Sequence, residues 1–189
     1  MEAQRAVRVL GAVLALGLIV GCGGGGGGSS NRVSIGGTAN YPGSLGGGSV
    51  DNADFIIINP DRPSDPLASD VTTDVGRFFG IIRKTISVAV IVSGRVDGQP
   101  VRVSGLLAAE ENNDDKQLDG QTDIACEAGV QAVIDGEIDG GDLGPRRIAN
   151  LEDAAARFVT TTDFTDPASV TAAANQVRAL TDNGDHPAP

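Results

Sequence analysis

The chain has few of the side chains on which catalysis and zinc binding usually depend. Its 189 residues include two cysteines, no tryptophan and a single histidine, His186, in a proline-flanked tail. A serine-histidine-aspartate triad needs a positioned imidazole, and a zinc site needs three or four imidazole or thiolate ligands. We therefore predict a protein that is not an enzyme and that has no resident cofactor.

Aromatic side chains and positive charges are also scarce. Aromatic residues make up 3% of the chain, with one tyrosine and five phenylalanines. Because sugar platforms are built from exposed aromatic rings, this scarcity argues against carbohydrate binding. The net charge of −11 at pH 7 makes the protein a poor ligand for nucleic acid, so we predict no nucleic-acid partner.

The first 22 residues carry the most informative pattern. Arg5 and Arg8 precede an apolar run from Val9 to Val20, and Ile19-Val20-Gly21-Cys22 closes it. This pattern resembles a bacterial lipoprotein signal, which implies cleavage after residue 21 and acylation of Cys22. The alternatives are a membrane-spanning helix, which needs about 20 apolar residues, and a plain secretory signal, which usually ends in an Ala-x-Ala site.

The same resemblance implies a location. Lipobox proteins are anchored in the cell envelope, and Asp after the modified cysteine favours retention in the inner membrane. Here Gly23 follows Cys22, so we expect the outer membrane where the envelope has one. Residues 22–31, rich in glycine and serine, read as a flexible tether. With Cys22 acylated, Cys126 has no disulfide partner, and we interpret it as a small buried residue.

From residue 32 to residue 109 the pattern predicts an antiparallel β-sandwich of six to seven strands. Ile86, Val88, Val90 and Val92 alternate with Ser87, Ala89 and Ser93, which is typical of a half-buried strand. Asp97-Gly98 then predicts a two-residue hairpin turn. The Pro/Asp-rich stretch from Asn59 to Pro66 is predicted to be a loop, because proline is excluded from central strands. The further strands are predicted at 32–38, 53–58, 69–73, 77–82 and 101–107.

Residues 33–94 resemble the carboxypeptidase regulatory-like, or transthyretin-like, β-sandwich family. The matching segments are Val33 to Thr38, Asn52 to Ile56, Val71 to Phe78 and Ile86 to Gly94. Within the third, Thr73-Asp74-Val75-Gly76-Arg77-Phe78 is the most specific element, with one residue fewer between Asp and Gly than usual. The resemblance implies an architecture and an accessory or interaction role in envelope proteins, without implying any chemistry.

The pattern changes after the sandwich. Residues 110–121 are predicted to be an acidic loop, 122–184 a helical subdomain of two or three short helices, and 185–189 a disordered tail. The first helix, 122–134, is capped by Thr122 or Asp123, with a strand at 130–134 as the alternative. Pro145 and Asp166-Pro167 begin the next two helices. Their apolar stripes, which include Phe158, are predicted to pack on each other and on the sandwich or on helix 122–134, and the alternative is that they dock another protein. The overall prediction is an α+β fold.

Calcium is the one metal that the sequence suggests. Two acidic stretches begin like EF-hand loops, with glycine at the sixth position, but Cys126 and Arg146 occupy their twelfth positions instead of glutamate. The candidate ligands are Asp115, Asp119, Asp123, Asp135, Glu137 and Asp139. The alternative interpretation is that these residues form Asp-Gly turns and helix caps.

These observations predict a lipid-anchored cell-envelope protein with a non-catalytic binding or structural role. We expect its partners to be the membrane, through the anchor, and other envelope proteins. The alternative function is a calcium- or glycan-binding surface module.

Overall fold

The computed structural model describes residues 31–182, and these form two β-sheets followed by three α-helices. The predicted α+β fold is therefore confirmed. The strands are β1 (Arg32–Ala39), β2 (Asp54–Asn59), β3 (Arg62–Val71), β4 (Arg77–Arg83), β5 (Ser87–Val96), β6 (Gln99–Ala108) and β7 (Asn113–Leu118). The helices are α1 (Gly120–Ile134), α2 (Pro145–Ala155) and α3 (Pro167–Asp182).

The strands form a sandwich of a three-stranded sheet and a four-stranded sheet. Their orders are β4-β1-β7 and β3-β2-β5-β6. Every pairing is antiparallel except that of β1 with β7, which is parallel. Valine, isoleucine and phenylalanine side chains from both sheets fill the space between them, among them Ile35, Phe55, Phe78, Val90 and Val103. Burial of this apolar surface is the main force holding the two sheets together.

The predicted hairpin between β5 and β6 is present with the expected backbone. Asp97 has φ of 51° and Gly98 has φ of 81°, so both central residues are left-handed. That combination matches the twist of the flanking strands, which pair without a break from Ser87 with Ala108 to Val96 with Gln99.

The three helices form a further layer on the outer face of the four-stranded sheet. They pack on one another and on Ala89, Ile91 and Leu106, so the predicted packing of the stripes on the sandwich is confirmed. In consequence β5 is buried on both faces from Ser87 to Val92. The prediction of a half-buried strand is wrong here, because its second face is small and apolar enough to be covered by helices.

The predicted acidic loop at 110–121 is wrong for residues 113–118, which form β7. The strand is held by backbone pairing with β1 and by Leu118, which is fully buried in the sandwich core. Its acidic side chains remain exposed, and the Asp114 carboxylate accepts a hydrogen bond from Ser34 Oγ. The sequence did not indicate this strand, because its solvent-facing side chains are charged and few of its side chains face the core.

The predicted loop at Asn59 to Pro66 is also wrong in part, since β3 begins at Arg62. Pro63 and Pro66 lie in this strand. The pairing with β2 shifts register on either side of Ile58, which indicates bulges, and β3 is the edge of its sheet. Edge positions and bulges tolerate proline because no ladder hydrogen bond is lost there.

The helix boundaries follow from their caps. Asp119, rather than Thr122 or Asp123, is the N-cap of α1, and Thr122 is the third helical residue of a capping box. The alternative strand at 130–134 is not formed. Pro145 and Pro167 are the first residues of α2 and α3, as predicted. Phe158 lies beyond the end of α2 and is only half-buried.

Candidate functional site

The predicted lipidation site lies outside the described residues. Cys22, the signal segment 1–21 and nearly all of the predicted tether precede Asn31, and the predicted tail 185–189 follows Asp182. Asn31 itself is adjacent to the end of β4, where its carbonyl accepts a hydrogen bond from the Lys84 amide. The chain therefore enters the sandwich beside the last residues of β4.

The first group of candidate calcium ligands is divided among three structural roles. Asp115 is an exposed residue of β7. Asp119 Oδ1 accepts hydrogen bonds from the amides of Gln121 and Thr122 at the start of α1, at 2.9 and 3.1 Å. Asp123 is 1% exposed and faces the sheet. The segment is a strand, a cap and a helix rather than a loop that surrounds a cation.

The second group of candidate ligands is engaged with an arginine and a short turn. Asp135 and Glu137, just after α1, both bind the Arg178 guanidinium of α3, with Asp135 Oδ2 2.8 Å from Nη2. Asp139 precedes a 3-10 turn, and its amide donates to the Asp142 carboxylate. Within residues 31–182, the acidic, cysteine and histidine side chains form no cluster of three or more with the spacing of a metal site.

The most concentrated set of polar side chains lies instead between the four-stranded sheet and α1. We call it the β6–α1 cluster: Arg102 and Ser104 of β6 with Asp123 and Glu127 of α1. Arg102 Nη2 is 2.8 Å from Glu127 Oε2, and its Nε is 3.6 Å from Asp123 Oδ1. Ser104 Oγ donates a hydrogen bond of 2.5 Å to Asp123 Oδ1. From α3, Thr171 Oγ1 donates to Glu127 Oε1 at 3.4 Å.

Burial and charge pairing oppose each other in this cluster. Burial raises the pKa of Asp123 above its usual range, against the opposing effects of Arg102 and the Ser104 hydroxyl. Burial lowers the pKa of Arg102, but the two carboxylates outweigh it and the net pKa is raised. One guanidinium therefore faces two carboxyl groups, of which Asp123 is the more deeply buried.

Cys126 lies in the same layer, on α1, and matches its predicted role. The thiol is free and 2% exposed, and burial raises its pKa to about 12. A thiol in this state is protonated at neutral pH and is a poor nucleophile. The cluster therefore links α1 to the sheet, with Asp123 buried and the Arg102 side chain 31% exposed.

Sequence reasoning missed this cluster because the strand predicted at 101–107 carries no sign that a helix covers its second face. The available signal was the pair Asp123 and Glu127, which are four residues apart and so share one helix face. An apolar stripe interrupted by two carboxylates needs a cation on the facing element. Nothing in the local sequence of β6 identified Arg102 as that cation.

Two open clefts lie on the described surface. The first, of about 320 Å³, is lined by Asn59, Asp61, Arg62, Asp65 and Leu67. The second, of about 410 Å³, is lined by Asp142, Gly144, Pro145, Arg146, Arg147, Asn150 and Thr181. Neither lining includes histidine, cysteine or serine. In the first cleft, Asp61 Oδ1 also accepts the Gly140 amide at 2.8 Å, which ties the β2–β3 turn to the segment before α2.

The outer face of the three-stranded sheet exposes an apolar pair with basic neighbours. We call it the β4 face: Arg77, Phe79, Ile81 and Arg83, which alternate with buried residues. Phe79 is 56% exposed and Ile81 58%, whereas the adjacent Phe78 is 2% exposed. Phe79 lies over Gly36 of β1, where an added Cβ would be 3.2 Å from the ring.

Among residues 31–182, no helix combines the length and hydropathy needed to span a bilayer. No protein-family model and no curated protein matches the chain.

Proposed function

We propose that this is a lipid-anchored cell-envelope protein, acylated at Cys22, with a non-catalytic binding or structural role. The observation that carries the proposal is the Ile19-Val20-Gly21-Cys22 sequence, placed after a basic start and a short apolar run. The first strand begins at Arg32, only ten residues after Cys22. A folded domain that follows an acylated cysteine by so few residues fits a protein held close to a membrane surface. That membrane would be the outer membrane where one exists.

We further propose that residues 33–94 belong to the carboxypeptidase regulatory-like sandwich family. The Thr73 to Phe78 segment supports this, because Thr73, Gly76 and Phe78 each have a structural role. Thr73 Oγ1 accepts the amides of Val75 and Arg77, and Gly76 has φ of 67°. Phe78 then enters the core between the sheets. The β6–α1 cluster supports a structural role, because its charged groups are paired with one another between the sheet and α1.

The test of the anchor uses the two cysteines of the chain as a matched pair. A Cys22→Ser variant, expressed in bacteria with a clickable fatty acid, should lose the acyl label and remain unprocessed. A Cys126→Ala variant should keep the label, because its thiol is buried in the helical layer. Equal labelling of the wild type and the Cys22→Ser variant would contradict the proposal.

The role itself can be tested in the intact envelope. Photocrosslinkers placed at exposed positions in the two clefts, for example at Asp65 and Arg146, should capture defined envelope proteins if the protein is a binding or scaffolding component. The same crosslinker at buried Leu107 is the control, because that side chain is 1% exposed. Identical patterns at all three positions would argue against a specific partner at either cleft.

A further inference from the structure

We infer that the β4 face rests on an anionic phospholipid bilayer and orients the anchored domain. The inference rests on the proposed lipid anchor, because the anchor keeps this surface near a membrane. Two neighbouring apolar side chains, Phe79 and Ile81, point outward together, and each is more than half exposed. Apolar side chains flanked by arginine or lysine are the usual composition of surfaces that lie at a membrane interface.

Basic residues lie at both ends of this apolar pair. Arg77 and Arg83 lie at the two ends of the β4 face, Lys84 follows, and Arg32 of β1 is paired opposite Arg83. Neither β1 nor β4 contains an acidic residue, although the chain as a whole has 25 acidic and 14 basic residues. None of the ion pairs formed within residues 31–182 involves Arg77, Arg83 or Lys84. Their charges are therefore available to lipid phosphates.

The point at which the chain enters the domain lies at one end of this face. Asn31 hydrogen-bonds to the Lys84 amide, so the segment from Cys22 to Ser30 joins the sandwich at the Arg83 end of the β4 face. The predicted Gly/Ser tether from Cys22 to Ser30 has nine residues, which as a random coil would have an r.m.s. span of roughly 15–18 Å. A contact held within that distance experiences an effective concentration on the order of millimolar, so even a weak interfacial contact is occupied.

The acidic residues of the same sheet define which part of it touches the lipid. Asp114 and Asp115 lie on β7, the edge strand farthest from β4. The Asp114 carboxylate accepts a hydrogen bond from Ser34 of β1, which is paired with Ile81, so the negative charge lies on the β7 side of the apolar pair and the basic residues lie at the ends of β4. The domain therefore meets the bilayer along its β4 edge, with β7 tilted away and the helical layer facing the aqueous side.

The chain contains no tryptophan, so a single introduced indole reports this contact directly. The lipidated Phe79→Trp protein is reconstituted into vesicles of phosphatidylglycerol and phosphatidylcholine whose acyl chains are brominated. Its fluorescence should be quenched and shifted to the blue. An Ile134→Trp protein, with its indole at a 44% exposed position on α1 in the opposite layer, should show neither change. Ile81→Trp provides a second reporter should the first variant fold poorly.

Neutralising the basic residues separates electrostatic docking from simple proximity. Adding Arg77→Gln and Arg83→Gln to the reporter should lower the ratio of docked to undocked protein by roughly 30-fold, and pure phosphatidylcholine vesicles should also abolish most quenching. The matched control is Arg146→Gln with Arg147→Gln, two arginines at the second cleft in the helical layer, which should leave quenching unchanged.

The outcomes distinguish this inference from the anchor on which it rests. Acyl label at Cys22 without quenching at position 79 or 81 would overturn the membrane-resting face and leave the anchor intact. Quenching on anionic vesicles by a preparation without acyl label would refute the anchor and support the face. A blue shift without vesicles that grows with protein concentration would overturn the inference in favour of a second copy of this chain.

Discussion

The two faces of the four-stranded sheet are both buried, but they are stabilised in different ways. The inner face meets the three-stranded sheet through an apolar core that includes Phe55, Ile57 and Val90. The outer face meets the helices through apolar side chains and through the β6–α1 cluster, whose partners include Ser104 and Asp123. Apolar packing tolerates small shifts, whereas a buried ion pair loses its value when one partner is removed. The comparison shows that one sheet has an apolar core on its inner face and, on its outer face, a helical layer whose position is fixed by ion pairs.

The largest expected effect concerns the inner face. Phe78→Ala should lower the free energy of unfolding by about 3–5 kcal/mol, because the ring is almost fully buried between the sheets. Phe79→Ala is the matched control, since the adjacent ring points outward and its loss should change stability by about 0.5 kcal/mol or less. Urea unfolding followed by circular dichroism measures both values, and similar losses for the two variants would contradict the assigned strand orientation.

Removal of the shared cation tests the outer face. Arg102→Ala should cost about 3 kcal/mol, the low end for a broken buried pair, because its side chain is 31% exposed. The variant leaves Asp123 and Glu127 facing each other without a cation. Arg95→Ala, in an exposed part of β5, should cost far less. Unfolding of the two arginine variants at the same urea concentration would contradict the claim that the cluster stabilises the helical layer on the sheet.

A smaller effect is expected at the margin of the helical layer. Phe158 is half-buried and packs against the helix cluster from beyond the end of α2. Phe158→Ala should therefore cost about 1–2 kcal/mol, less than a fully buried phenylalanine. A loss as large as that of Phe78→Ala in the same urea titration would show that the helical layer depends on this ring as fully as the sandwich depends on Phe78.

The smallest expected effect is a change in how the free energy of unfolding depends on pH. Burial raises the pKa of Asp123 in the folded state, so the folded protein holds a proton that the unfolded chain releases above its ordinary pKa of 3.8. The contribution of Asp123 to stability is therefore greatest below that pH and falls as the pH rises towards the folded pKa. Subtracting the unfolding free energy of Asp123→Asn from that of the wild type at each pH isolates this contribution. A difference that is constant from pH 4 to 8 would refute the assignment.

The strand predictions succeeded where alternation was strong and failed where one face carried charge. The β5–β6 hairpin was predictable because Asp97-Gly98 joins two alternating segments. By contrast, β7 has only Leu118 in the apolar core and two exposed aspartates, so its local sequence pattern predicted a loop. Its strand conformation depends on parallel pairing with β1, which is more than 70 residues away in the chain. Pairing over such a distance leaves no periodic signature in the segment itself.

The candidate calcium residues show that local sequence can also suggest a site that the fold does not bring together. Their spacing resembled a cation loop, but Asp119 caps a helix, Asp123 lies against the sheet and Asp135 binds Arg178. An acidic side chain has the same local appearance whether it binds a cation, caps a helix or pairs with arginine. The difference comes from which element faces it, and that is decided only when the helices settle on the sheet.

The sequence by itself determined the α+β fold, the hairpin at Asp97-Gly98 and the proline-initiated starts of α2 and α3, because these follow from local backbone preferences and from periodicity. It also carries the pattern on which the proposed anchor at Cys22 rests. Only the tertiary structure decided that β5 is buried on both faces, that Arg102 meets Asp123 and Glu127, and that Phe79 and Ile81 share an exposed face. Those features depend on contacts between segments distant in the chain, and local sequence does not encode which distant surface will cover a given face.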